Sequence, residues 1–325
     1  MIRHLSLFDL FKEEPYCFVV PGYATAAPAR SLVRLFAVYI AEQINRATLM
    51  TFEIQAHRGA RSFFPENTLQ AFCKAADLGV RVLELDLVVS KDHEIVVSHD
   101  PWLSGPLCHD PAGRPLAADE GMSYRIYDMT YADISAFDCG GRHPSFPLQQ
   151  RISAYKPLLS AVFREVDSYM ASRGMKGRMV YNLELKSWPD KDGIFHPEPD
   201  RYAALVLRIV EDTARSGQVR FQSFDHRLVR AAWKQNPKLC YGLLIAEREH
   251  IDRYLPELGF LPRYLNPHLS LVDRDTAEYL HAKRIGMIPW TVNRPEDMVR
   301  MKQLGAEGII TDYPEVALTL ASLQD

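Results

Sequence analysis

The sequence predicts an α/β chain: a (β/α)8 TIM barrel with a long insertion after its second strand and a helical extension at its N-terminus. Three observations predict it. From residue 53 onward, short apolar runs alternate with helical apolar patterns, the mark of βα units feeding a parallel sheet. The alternation repeats eight times, the number at which such a sheet closes into a barrel. Side chains able to do chemistry recur at the C-terminal ends of the strand patterns, the face on which these barrels carry their sites. At 325 residues the chain exceeds the roughly 250 of a plain barrel, which leaves room for the insertion and the extension.

The extension comprises residues 1–50 and the barrel domain 51–325. Within the extension, "CFVVPGYATAAPA" at 17–29 has the apolar and small-residue character of a secretory leader, but the acidic "DLFKEEPY" before it is wrong for one. Leu32, Leu35, Phe36, Tyr39, Ile40 and Ile44 then recur at three- and four-residue steps, which predicts an amphipathic helix within 30–46 that packs on the barrel or on a partner. Met50 stands just before the first barrel strand, so the fold is expected not to need the extension.

The first strand, 53–57, ends in a His-Arg-Gly turn, and a helix follows over 67–78. "VLELDLVV" at 82–89 is the second strand, and "VVSKDHEIVVSHD" reads as its continuation into a hairpin that turns at 91–93. Residues 101–155 are rich in Pro, Gly, Asp and His without a clear period, far longer than an ordinary βα loop, and are expected to cover the catalytic face. Regular alternation resumes with a helix over 156–173 and a strand over 179–185. Strands follow near 219–223, 240–245, 263–266, 287–292 and 308–311, separated by helices near 201–215, 225–235, 247–255, 273–284 and 295–304, with a last helix over 313–323.

Composition restricts what the chain can do. It is 47% hydrophobic and 24% charged, which fits a globular domain with a sizeable core and excludes a disordered or fibrous class. A net charge of −3 offers no electrostatic case for nucleic acid, though a local basic pocket could hold a phosphate. No apolar run approaches the roughly 18 residues of a membrane span, so no integral membrane segment is expected. Five cysteines stand far apart, odd in number and without a CxxC pair, so neither a disulfide framework nor a zinc knuckle is expected, and a reducing, cytoplasmic setting fits better than a periplasmic or secreted one. Self-association as a homo-oligomer is compatible with the sequence.

Chemistry is legible at the strand ends. Glu84 and Asp86 are two apart on one strand, so both point to the same face. Glu184 and Lys186 repeat the arrangement on the next barrel strand. Two carboxylates so close repel each other unless a proton or a cation intervenes. Acidic strand ends are often merely solvated or paired with an arginine, but three beside a His and a Lys point to a hard, oxygen-loving ion, Mg²⁺ or Ca²⁺, rather than zinc. His57 closes the first strand and His99 the hairpin, positions from which two imidazoles could serve as acid and base across one phosphorus. Arg58 can fork onto two phosphate oxygens and Lys186 supplies a point charge. No GxSxG or Ser-His-Asp pattern offers an acyl-transfer alternative.

Taken in order, "HRG" at 57–59, "PENT" at 65–68, "ELD" at 84–86, "HD" at 99–100, "ELK" at 184–186, "QSFD" at 222–225, "WTVN" at 290–293 and "GIITDYP" at 308–314 resemble the glycerophosphodiester phosphodiesterase family from about residue 53 to the C-terminus. The resemblance implies a barrel enzyme that hydrolyses small-molecule glycerophosphodiesters to an alcohol and sn-glycerol 3-phosphate with a divalent cation. It implies Glu84, Asp86 and Glu184 as metal ligands, His57 and His99 as the acid-base pair, and Arg58 and Lys186 on the phosphate. It further implies a route in which a neighbouring glycerol hydroxyl attacks phosphorus and water opens the resulting cyclic phosphate. Phe224 and Trp290 are candidates for a wall against the glycerol carbons, or else core filler. Glu66 and Asn67 are read as helix capping and loop rigidity. Gly59 would let the backbone turn sharply beside the phosphate.

Two rivals remain. The same site could serve a lysophospholipase D or sphingomyelinase D-like reaction, which would need an exposed apolar entrance near the insertion, with Trp102, Leu103, Leu107 and Met122 as candidates. A non-catalytic binding barrel would be expected to lack a histidine or a metal carboxylate, and none is missing.

Overall fold

A computed structural model describes residues 52–320 and Leu323; the helix expected within 30–46 lies outside the described residues. Nine strands are described: β1 (Glu53–His57), β2 (Val82–Val89), β3 (Ile95–Val97), β4 (Val180–Leu185), β5 (Val219–Ser223), β6 (Cys240–Ile245), β7 (Tyr264–Pro267), β8 (Gly286–Met287) and β9 (Gly308–Thr311). Eight run parallel in the order β8-β7-β6-β5-β4-β2-β1-β9, and β3 folds back antiparallel on β2 as the hairpin pattern predicts. The sheet closes through the segment after β8: Glu307 N–H donates to Met287 O at 2.9 Å, Ile310 N–H to Pro289 O at 2.9 Å and Val292 N–H to Ile310 O at 2.9 Å. The chain is a (β/α)8 barrel.

One strand departs from expectation. Residues 287–292 were to form a strand, but regular pairing stops at Met287. Pro289 has no N–H to give the ladder. Both neighbours still bond to this stretch, since Trp290 N–H reaches Pro267 O at 3.1 Å, so the wall is irregular rather than open.

Helices fill the outer layer because each carries one apolar stripe. Leu159–Ser172 buries Leu159, Val162, Phe163, Val166 and Met170, steps of three and four that form a single face. The same pattern on Pro199–Asp212 buries Tyr202, Ala203, Val206, Leu207 and Val210. These faces meet the outward-pointing residues of the strands, among them Leu83, Leu85, Leu183, Phe221 and Leu265, in one continuous core. The alternate residues point inward, and several are polar: Asn182 Nδ2 donates to Gln55 Oε1 at 2.8 Å, and Arg220 forks onto Glu53 at 2.6 and 2.7 Å.

The insertion is a compact cap and not a slack loop. Val88, Val96, Leu103, Cys108, Leu116, Ile126, Ile134, Phe137 and Cys139 form a second small core. Its backbone uses single 3-10 turns and one short helix, Tyr131–Ser135, closed by a capping box in which Thr130 and Asp133 satisfy each other's backbone. Elements this short carry no readable period. Cys108 and Cys139 form a disulfide, which corrects the expectation of none: they are 31 residues apart in sequence, but the cap brings them together. Of the apolar residues considered for a lipid entrance, Leu103 and Leu107 are buried in the cap, Trp102 is half-buried against Phe195, and Met122 is exposed.

Candidate active site

Register brings the site together. His57 pairs with Glu84 across β1 and β2, and Asp86 pairs with Glu184 across β2 and β4, so side chains from three neighbouring strands rise at matching heights. The three carboxylates each place an oxygen within 4.8 Å of the others, and all are buried. A cavity of about 180 Å³ opens above them, lined by His57, Arg58, Glu84, His99, Glu184, Lys186, Phe224 and Trp290 together with Gln222, Leu244, Thr291 and Ile310. Eight of the nine candidate residues thus share one cavity. Asp86 lies beneath it, wholly buried.

Electrostatics separates the carboxylates. Burial and then the charges of Asp86 and Glu184 push Glu84 well above the ordinary carboxylate range, although the Arg58 backbone N–H donates to its Oε2 at 3.0 Å. Burial also opposes the charge on Asp86, but Arg58, His99, Lys186 and a hydrogen bond from Asn67 outweigh it and hold Asp86 low. Lys186 Nζ lies 2.6 Å from Glu184 Oε1 and 3.6 Å from Asp86 Oδ1; burial would lower its pKa, and these two anions raise it instead.

A divalent cation fits this setting. Glu66, Glu84, Asp86, Glu184 and Asp312 crowd into one buried network with Arg58, Arg61 and Lys186 as their ion-pair and hydrogen-bond partners. Asp86 Oδ1 is buried without a hydrogen-bond donor. An all-oxygen donor set of three buried carboxylates suits a hard divalent cation.

His57 is positioned from the neighbouring strand, β9. Its Nδ1 lies 2.6 Å from Oδ1 of Asp312, just beyond β9, so Nδ1–H donates to that carboxylate and the Nε2 lone pair is left free. Burial and then Arg58 lower the His57 pKa against the opposing pull of Asp312, which favours neutral imidazole. His99 has the parallel arrangement at the cavity edge, its Nδ1 2.8 Å from Asp100 Oδ1.

Glu66 and Asn67 correct the capping reading. Thr68 caps the helix Leu69–Asp77, its hydroxyl accepting from Ala71 N–H at 3.2 Å. Glu66 instead accepts from Arg58 NH1 at 3.0 Å and pairs with Arg61, while Asn67 donates to Asp86 Oδ2 at 2.8 Å. Asn67 takes a positive φ of 57°, which turns its amide inward onto Asp86 rather than along the helix axis. Gly59 does permit the sharp turn: its φ is 84°, and a Cβ there would stand 2.8 Å from Ala71.

Four residues were not singled out from sequence. Asp312 and Arg61 hold His57 and Glu66; Gln222 donates to Glu84 Oε1 at 3.4 Å, and Asn266 donates to Gln222 Oε1 at 2.6 Å. The signal for Asp312 was its place at the end of the last strand. Phe224 and Trp290 meet edge to face at 5.3 Å, and Trp290 Nε1–H donates to Asn266 O at 2.9 Å, so this wall is fixed.

A sequence model of the glycerophosphoryl diester phosphodiesterase family matches residues 57–316. A glycerophosphodiester phosphodiesterase of Caldanaerobacter subterraneus subsp. tengcongensis is 30% identical over 269 residues, covering 82% of this chain and 96% of its own. A crystal structure from Silicibacter pomeroyi DSS-3, assigned to the same activity, superposes with a TM-score of 0.73 at 29% identity and covers 83% of this chain and 92% of that one. An Oleispira antarctica phosphodiesterase, solved with its product sn-glycerol 3-phosphate, shares the fold at a TM-score of 0.65 and 20% identity, over 82% and 95% of the two chains.

Proposed function

The chain belongs to the glycerophosphoryl diester phosphodiesterase family, and from that premise we propose that it cleaves small glycerophosphodiesters to an alcohol and sn-glycerol 3-phosphate with a divalent cation and two histidines. One observation carries this reading: the buried trio Glu84, Asp86 and Glu184 lies under a cavity that His57 and His99 both line. Glu84, Asp86 and Glu184 would hold the cation, which when bound supplies positive charge to the phosphoryl oxygens.

The protein's own groups account for the rest. Arg58 and Lys186 face the phosphate from the cavity wall; Arg58 is held for this by Glu66 and Asp86, so little order is lost when substrate binds. Phe224 and Trp290 offer a fixed apolar wall to the glycerol carbons. His57, kept neutral with Nε2 free, takes the proton of the glycerol 2-hydroxyl as that oxygen attacks phosphorus. His99 gives its proton to the departing alcohol oxygen as the P–O bond breaks. In the second step His99 takes a proton from water as it opens the cyclic phosphate, and His57 returns its proton to the glycerol oxygen. The first attack is intramolecular and avoids capturing a water. The buried, low-pKa environment of His57 supports it as the first base.

The route is tested with a substrate analogue lacking the glycerol 2-hydroxyl. It should bind and scarcely turn over. Hydrolysis at the normal rate would exclude the cyclic route and leave direct attack by water.

A further inference from the structure

We propose that Arg61 is a positioning residue, held in place by the insertion, that clamps the base His57 and the phosphate-binding Arg58 into one rigid frame. The inference rests on the proposed roles of those two residues and adds a third residue and a task for the insertion. Arg61 does not line the cavity. Its NH1 lies 3.2 Å from Asp312 Oδ1, the oxygen that orients His57, and its NH2 pairs with Glu66, the carboxylate whose other oxygen is 3.0 Å from Arg58 NH1. One guanidinium therefore ties the support of the base to the support of the phosphate cation. The charge pattern agrees: burial would raise Glu66, but Arg58 and Arg61 bring it down to about 2.

The insertion supplies the other half of the clamp. Phe146, buried, lies under the Arg61 guanidinium at 4.7 Å and against Tyr313, the neighbour of Asp312, at 5.9 Å. Gln149, also buried, donates to Arg61 O at 2.7 Å and Phe64 O at 3.2 Å, and Gln150 N–H donates to Phe63 O at 2.8 Å. The segment 143–150 is thus bonded to the loop that carries Arg61. If Arg61 served only to neutralise two buried carboxylates, a lysine would serve as well. A lysine brings one compact charge, however, whereas the planar fork reaches both carboxylates at once.

The test measures kcat and KM for glycerophosphocholine with the full chain saturated in Mg²⁺ or Ca²⁺. Arg61→Lys should stay folded by thermal melting and lose about tenfold or more of kcat, within the range that a misplaced catalytic group produces. In an Asp312→Asn background the same change should cost clearly less, because the arm that reaches the base through that carboxylate is already gone and only the arm through Glu66 to Arg58 remains. Wild-type kcat in Arg61→Lys, or an equal loss in both backgrounds, would overturn the inference. If Arg61→Lys fails to fold, Phe146→Ala decides: it removes the stack and keeps every charge, so a several-fold loss of kcat supports the clamp and a wild-type kcat refutes it. His57→Ala is assayed alongside. Its full activity would overturn the base assignment and the clamp together, whereas a dead His57→Ala beside an undisturbed Arg61→Lys would overturn the clamp alone.

Discussion

Glu84 shows how a single residue's environment becomes a measurable property. Burial and the neighbouring carboxylates push its pKa above the ordinary 4.5, so in metal-free protein the folded state holds a proton that the unfolded chain releases. The sign follows: stability of the metal-free protein falls as pH rises from 4.5 toward the raised value, and metal, which needs the carboxylate, binds more tightly over the same rise. Thermal melts in chelator should show this decline in wild type, and Glu84→Gln should flatten it. At the same scale, His57→Ala and His99→Ala should each lose at least about a hundredfold in turnover, the usual reach of one acid-base group. Calorimetric metal affinity should barely change in either variant, and loss of metal binding would make that histidine a ligand. The carboxylates were legible because period-two spacing on a strand fixes a common face, and the histidines because each follows or ends a short apolar strand run. Asp312 and Arg61 were not, since Asp312 meets His57 across 255 residues of sequence and only barrel closure brings them together.

Among the elements, the regular strands were legible within a residue and most helices within three, because each carries a strong period of 2 or 3.6 while helix ends do not. β8 was not, since Pro289 sits inside an apolar run that otherwise looks continuous. The cap was illegible for the opposite reason: its core is assembled from single turns, and its cysteines pair only through that core. Closing a loop of this length by a disulfide constrains the unfolded chain by roughly 3–4 kcal/mol on the loop-entropy estimate. The double substitution Cys108→Ser with Cys139→Ser should therefore lower stability by up to about that amount, read by denaturant unfolding, with the barrel still formed. An unchanged unfolding midpoint would show that the bridge does not stabilise the cap.

At the scale of the whole molecule the barrel is a holder for charge. Polar residues fill its interior from Glu53 and Arg220 at one end through Gln55 and Asn182 to Gln222 and Asn266 beneath the site, so each carboxylate at the mouth stands on a bonded layer. Every candidate chemical residue follows Met50, and the described residues form a compact unit of their own. A chain beginning at Met50 should fold and keep its turnover, checked by circular dichroism and assay; insolubility would mean that residues 1–49 bury a core face. Metal-dependent cleavage by this barrel is decided by the release of glycerol 3-phosphate from a panel of glycerophosphodiesters with and without chelator. Release from at least one of them is expected, abolished by chelation and restored by Mg²⁺ or Ca²⁺. Undiminished release from metal-free enzyme, or no glycerol 3-phosphate from any of them with metal present, would contradict it.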